Sequence, residues 1–374
     1  MNEVRADLPM NSFGADRMMA ALGVEAARFR YLELICRDYI SPSRSVLPRT
    51  YTQGDLKVLR EADRLLRRGL GPAAVKAQLA IKLAEPAEWG SCDSERCGRG
   101  SASLLSISSG KGGVGKSNIA LNLAVHLVGM GFRTVVLDAD LGVANLHVLA
   151  GIRARHTLQH VMVGKCGIEE IIVPAPGGPD IIPGSSGIYD LANLPGHKRR
   201  ILLSELEKLE SGYDVIVIDT AAGVAAAVLD FVVSSDFGIV VTTPEATAIT
   251  DAYALTKLSL ERAPGFRIGI VANRVKSARE GALALRRISD CARRFLGRSP
   301  LELGYVWEDS TVRRAVNEGI PFSVGYPQSK ASLCMHRLAK TLVEKRVIGP
   351  CKKRPTGFGP YLERCVPFAA EITG

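Results

Sequence analysis

The chain has 374 residues, is 47% hydrophobic and 23% charged, and carries a formal net charge of +10. That length suggests about two domains at ~150 residues each, and the composition is that of a globular protein rather than a fibrous or disordered one. No apolar run reaches the ~18 residues of a membrane span, Glu3, Asp7 and Asp16 argue against a secretory leader, and the 8 cysteines show no disulfide-framework spacing, which fits a reduced intracellular setting.

The first predicted elements are helical. Asp16–Leu22 and Glu25–Ile35 flank Gly23, giving helix, tight turn, helix. The stretch Asp55–Arg68 places Leu56, Leu59, Ala62, Leu65 and Leu66 at helical spacing. Gly69 and Gly71 end it, and Pro72 opens a further helix carrying Val75, Leu79 and Leu83. A Gly- and Ser-rich stretch from Trp89 to Ser101 has no periodicity and reads as a linker. Cys92 and Cys97 within it lack the second pair or the histidine that a zinc site needs. The chain therefore divides into a helical module, 1–88, a linker, 89–103, a larger domain, 104–346, and a basic tail, 347–374.

After the linker, strands and helices alternate. Predicted strands are Leu104–Ser108, Thr134–Leu137, Ile168–Val173, Asp180–Ile182, Asp214–Ile218, Phe237–Thr242, Phe266–Ala272 and Leu301–Val306. Predicted helices are Ser117–Val128, His197–Leu209, Ala248–Leu260, Ala278–Phe295, Ser310–Glu318 and Lys330–Glu344. This alternation implies an α/β domain built on a doubly wound, mostly parallel sheet.

Between the first of these strands and its helix lies Gly110-Lys111-Gly112-Gly113-Val114-Gly115-Lys116-Ser117. Glycines there let backbone N–H groups converge on phosphate oxygens without Cβ clashes. The helix that follows points its positive end at the anion. Lys116 would reach the β- and γ-phosphates of ATP and Ser117 would place its hydroxyl on Mg²⁺. Metal-assisted phosphoryl transfer also needs carboxylates at strand ends. Asp138 and Asp140 follow one predicted strand and Asp219 follows another. The larger domain reads as a P-loop ATPase.

Lys111 is not needed to cradle phosphate. With Asp138-Ala139-Asp140-Leu141-Gly142-Val143-Ala144-Asn145 and Asp219-Thr220-Ala221-Ala222-Gly223, it resembles the deviant Walker A ATPases of the MinD/ParA family. The run Thr243–Leu255 and the segment Tyr326–Ser332 resemble the FlhG (FleN/YlxH) group within it, the regulators of flagellar number and placement. The resemblance covers Leu104 to about Leu342 and implies a nucleotide-driven cycle between an ATP-bound homodimer and an ADP-bound monomer. It implies that Lys111 crosses the dimer interface to the partner's nucleotide and that Asp140 orients the attacking water. Asp138 and Asp219 would support Mg²⁺ through water, Gly223 would sense the γ-phosphate, and Asn273 would bond adenine. It further implies an FlhF-type GTPase or a flagellar switch protein as partner, and a cytoplasmic protein with peripheral contact at the inner face of the membrane. A partition or cargo-positioning ATPase with a DNA-binding surface, and a transcription regulator, stay open beside the flagellar reading.

In the N-terminal module, Gly23–Glu33 resembles the recognition helix of MerR-like winged helix-turn-helix domains, and Pro42-Ser43-Arg44 to Arg49-Thr50-Tyr51-Thr52 resembles the wing. Arg28 and Arg30 would face DNA from the helix, and Arg44 and Arg49 would grip phosphates from the wing. A helical protein-binding module without DNA contacts is the competing reading. In the tail, Lys352-Lys353-Arg354 precedes Phe358, Tyr361, Leu362, Val366 and Phe368 among glycines and prolines. That pattern fits either lipid contact or a flexible basic tail.

Overall fold

The computed structural model describes residues 13–37, 40, 50–67, 71–72, 75–76, 79, 102–140, 144–184 and 196–348. The wing residues Arg44 and Arg49, most of the linker and the tail from residue 349 on lie outside the described residues. The chain divides into two compact units, Met1–Glu88 and Trp89–Gly374.

In the first unit, β1 (Phe13–Gly14) pairs antiparallel with β2 (Thr50–Tyr51), around α1 (Ala15–Leu22), α2 (Ala26–Ile35) and α3 (Gln53–Arg67). Gly23 ends α1 in the left-handed region at φ 65°, and the Val24 N–H returns to the Met19 carbonyl. Met18, Phe29, Leu32, Ile35, Leu59 and Ala62 are buried together, with Phe29 edge-on to Tyr51. The two-residue pairing of β1 with β2 was not predicted, because it is too short to leave a pattern.

The second unit begins with β3 (Ser103–Ser109), α4 (Lys116–Gly129), β4 (Thr134–Ala139), and the short helices α5 (Leu146–Leu149) and α6 (Leu158–Met162). A 3₁₀ turn (Ile168–Ile171), β5 (Val173–Pro174), β6 (Asp180–Ile182), α7 (Gly196–Gly212), β7 (Val215–Ala222) and α8 (Ala226–Ser234) follow. The unit continues with β8 (Phe237–Thr242), α9 (Ala246–Arg262), β9 (Ile268–Val275), α10 (Ala278–Leu296) and β10 (Leu301–Trp307). It closes with α11 (Ser310–Glu318), α12 (Phe322–Gly325) and α13 (Lys330–Glu344).

Eight strands form one sheet in the order β10-β9-β8-β3-β7-β4-β6-β5. Every pairing is parallel except β5 with β6. The central strands β3, β4 and β8 are buried throughout because helices cover the sheet, which explains their continuous apolar runs. Leu158, Val161, Leu206 and Leu209 pack on Val135, Leu137, Ile216 and Ile218. Leu255, Leu285 and Ile288 pack on Val240, Ile268 and Ile270. From β3 the chain passes by α4 to β4 on one side of the sheet, and later to β8, β9 and β10 on the other. Ligands of such sheets bind at this switch point, beyond the strands' C-terminal ends.

Two expectations change. Of the predicted strand Ile168–Val173 only Val173 belongs to one, β5: Ile168 and Ile171 are both buried, a spacing of three, and the Glu170 carboxylate accepts the Gly167 N–H at 2.9 Å, so Ile168–Ile171 closes into a 3₁₀ turn. The helix α8 was not predicted, since Val224–Ser235 is too uniformly apolar to show a period.

Candidate nucleotide site

The loop 110–115 joins β3 to α4 at the C-terminal edge of the sheet. Gly113 and Gly115 have φ of 78° and 91°, values that an L side chain strains to adopt. Gly115 also lies against the Asn273 side chain, and Gly110 against the Asp251 backbone, so a Cβ at either position would collide with its neighbour. Gly112 meets no such neighbour. From the end of β9, the Asn273 Nδ2 donates to the Val114 carbonyl at 2.7 Å, and its Oδ1 accepts the Arg274 N–H at 2.9 Å. Asn273 therefore braces the loop from behind.

Lys116 opens α4 with its side chain buried, and its Nζ lies 2.8 Å from Asp219 Oδ1. Ser117 also hydrogen-bonds Asp219. The β4–β7 register sets Asp138 opposite Asp219, so two carboxylates that were expected just beyond the strands sit inside their last turns of pleat. Asp138 accepts the N–H groups of Asp140 and Leu146, each at 3.2 Å. Gly184 leaves the space over Asp138 that a side chain would fill. Burial, and then the Asp219 charge, push the Asp138 carboxyl up to about 7. Burial also raises Asp219, against the opposing pull of Lys116.

Asp140 is half-buried beside this pair. Gly223, at φ 108°, donates its N–H to the Ser109 carbonyl at 2.8 Å, which ties the end of β7 to the start of the loop. Lys111 points elsewhere. Its Nζ lies 2.8 Å from Glu245 Oε2 and 3.1 Å from Thr247 Oγ1, at the start of α9. The Lys111 ammonium holds the Glu245 carboxyl below its ordinary range.

Beside the loop is a cleft of about 500 Å³ lined by Gly113, Gly115, Asn118, Asn273, Trp307 and Glu308 among others. The contributions of Asn118, Trp307 and Glu308, and of Glu245 and Thr247 to Lys111, were missed in the sequence. The end of β10 gave a usable signal, since strand C-termini face the ligand crevice in such sheets.

Sequence comparison supplies the deciding observation. Over 269 residues the chain is 37% identical to the antiactivator FleN of Pseudomonas aeruginosa, covering 71% of this chain and 94% of FleN. It is 33% identical to the flagellum site-determining protein YlxH of Helicobacter pylori, covering 72% of this chain and 92% of YlxH. The chain belongs to the MinD/ParA family of ATPases, in its FleN/YlxH (FlhG) group. An AAA domain family matches residues 102–260. Among solved structures, the septum site-determining protein MinD from Pyrococcus horikoshii, complexed with Mg-ADP, superimposes at a TM-score of 0.53 and 28% identity. That match covers 67% of this chain and 100% of the MinD chain. The MinC:MinD cell division complex of Aquifex aeolicus matches at a TM-score of 0.55 and 25% identity, over 68% of this chain and 99% of that chain.

In the first unit, Arg28 forms a 2.8 Å ion pair with Asp63 of α3, and Asp63 also holds Arg67 at 2.6 Å. Burial would raise the Asp63 carboxyl, but Arg67 and Arg28 outweigh it and hold the group low. Arg28 therefore pins α2 to α3, while Arg30 stands exposed. Among the described residues, no helix is long and apolar enough to cross a membrane.

Proposed function

We propose that this chain is an ATP-dependent dimerisation switch that controls flagellar number or placement. The buried Lys116–Asp219 pair, set beside Asp138 and Asp140 under a glycine loop, carries this reading. Asp138 and Asp219 are buried oxygen donors pressed together with one lysine to offset them, and a hard divalent cation fits that donor set. Ser117, Asp138 and Asp219 would hold Mg²⁺, which neutralises charge on the transferring phosphate when bound.

When ATP enters, Lys116 exchanges Asp219 for the β- and γ-phosphate oxygens, and the loop N–H groups converge on the same phosphates. Asn273 and the cleft beside it receive the adenine. Asp140 orients the attacking water from the edge of the carboxylate pair. The Gly223 N–H leaves the Ser109 carbonyl to meet the γ-phosphate. Lys111 leaves Glu245 and completes the partner's site, adding positive charge where negative charge develops in transfer. The slow reaction acts as a timer on the dimer.

The N-terminal module would carry an output, with Arg30 as its exposed DNA-facing cation and Arg28 reserved for the ion pair with Asp63. A protein partner such as an FlhF-type GTPase or a flagellar switch protein would read the ATP dimer. Flagella counted by electron microscopy in cells carrying Lys111→Ala or Asp140→Ala test the function: both should change number or position. Wild-type flagellation with both alleles would refute the flagellar role and leave the ATPase assignment to its own tests.

A further inference from the structure

We propose that a cavity at the edge of the sheet opposite the nucleotide loop binds a small organic cation of the amine or amidine class. The cavity measures about 570 Å³, within the ~300–1,000 Å³ of sites that enclose a small molecule. Thr134 and Asp180, at the starts of β4 and β6, line it from the sheet. Val128 and Leu209, in the last turns of α4 and α7, line it from the helices. Helix α4 opens at Lys116 beside the phosphate loop and reaches the cavity at Val128, ~18 Å along its axis.

Polar groups converge on this lining. The Tyr213 hydroxyl donates to Asp180 Oδ2 at 2.9 Å, and both residues face the cavity. Burial, and then the Asp180 charge, push the Tyr213 phenol well above its ordinary range, so it stays a hydrogen donor. Glu169, also at the cavity, acts on the phenol in the same direction. A gap left by loose packing is apolar, whereas this one holds a tyrosine–carboxylate pair and a second carboxylate.

The charges at the cavity select a cation. Arg133 and Lys208 also line it, but each is engaged by a carboxylate. Arg133 grips Asp214 through Nη2 at 2.8 Å and Nε at 3.2 Å, and its backbone N–H donates to the same group at 2.8 Å. Lys208 pairs with Glu205. Glu169 is exposed and has no ion-pair partner among the described residues. The C-terminal ends of α4 and α7 add partial negative charge. An anion would have to break two ion pairs and lie against two negative helix ends. Phe132 and Tyr213 supply aromatic surface, which attracts a cation more than a neutral molecule of the same shape.

The test is a saturation-transfer NMR titration of the full chain with benzamidine, its neutral isostere benzamide and the anion benzoate. Wild type should bind benzamidine with a dissociation constant of about 1 mM and benzamide about tenfold more weakly. Asp180→Asn keeps an acceptor for Tyr213 and should weaken benzamidine about tenfold. Glu169→Gln, at an exposed residue, should weaken it about threefold and leave the melting temperature unchanged. Absence of benzamidine binding up to about 10 mM would overturn the proposal. So would equal affinity for benzamidine and benzamide, or unchanged benzamidine affinity in both variants. Tighter binding of benzoate than of benzamidine would also overturn it, since that order marks an anion site built on Arg133 and Lys208.

Discussion

The Lys111 ammonium rests 2.8 Å from the Glu245 carboxylate of its own chain. Both side chains reach solvent, which screens their attraction. The contact keeps the lysine at the exposed rim of the loop, and it would compete with the partner's nucleotide for the Lys111 proposed to cross to it. Glu245→Gln releases it, so the ATP dimer should form at a slightly lower protein concentration, by at most about threefold. A dilution series by light scattering measures the midpoint. A shift in the other direction would show that Glu245 supports the dimer and does not compete with it.

Lys116 should be required for nucleotide and also for stability. Lys116→Ala should weaken ATP binding about 100-fold, by calorimetry, through loss of charged hydrogen bonds to phosphate. The same change strands a buried carboxylate, Asp219, without its cation. That should cost about 3–5 kcal/mol in urea unfolding, and adding Asp219→Asn should recover most of it.

Asp140 should matter to turnover and not to binding. Asp140→Ala should keep ATP affinity and lower the hydrolysis rate about 100-fold or more, as measured by phosphate release. Near-normal turnover would remove Asp140 from the chemistry.

Asn273 braces Val114 and borders the cleft. Asn273→Ala should weaken ATP binding about tenfold, with little change for inorganic triphosphate. An equal loss for both ligands would mean that its role is confined to the loop.

His126 should make the ATPase unit sensitive to acid. Burial, and then the neighbouring His336, lower its pKa from 6.5 to about 4, against the favourable contact with Ser332. A histidine that is neutral when folded and protonated when unfolded withdraws stability as pH falls below 6.5. By pH 5 the loss should be about 2 kcal/mol, levelling off near the folded-state pKa. His126→Gln should flatten this dependence in thermal melts taken between pH 7 and 5. An unchanged slope would place the acid sensitivity elsewhere.

The nucleotide loop and its two flanking elements were legible because their chemistry demands fixed residues at fixed spacing. Phe237–Thr242, Ser310–Glu318 and Lys330–Glu344 fell at their predicted ends, since apolar period and caps agreed there. The 3₁₀ turn at Ile168–Ile171 and the helix α8 were not legible, because isoleucine and valine runs fit strand and helix alike. Long-range partners were invisible for a different reason. Glu245 meets Lys111, and Asp63 meets Arg28, only after the chain has folded. Sequence placed Arg28 on a DNA-facing surface by its position on α2, and the ion pair to α3 gives it a duty inside the module.

The central claim is that a triphosphate joins two copies of this chain through Lys111. Light scattering of the purified full chain in magnesium, with ATP and with ADP, for wild type, Asp140→Ala and Lys111→Ala, tests it most directly. The account predicts wild-type and Asp140→Ala dimers with ATP, monomers with ADP, and monomers throughout for Lys111→Ala. A Lys111→Ala protein that dimerises with ATP as well as wild type would contradict it.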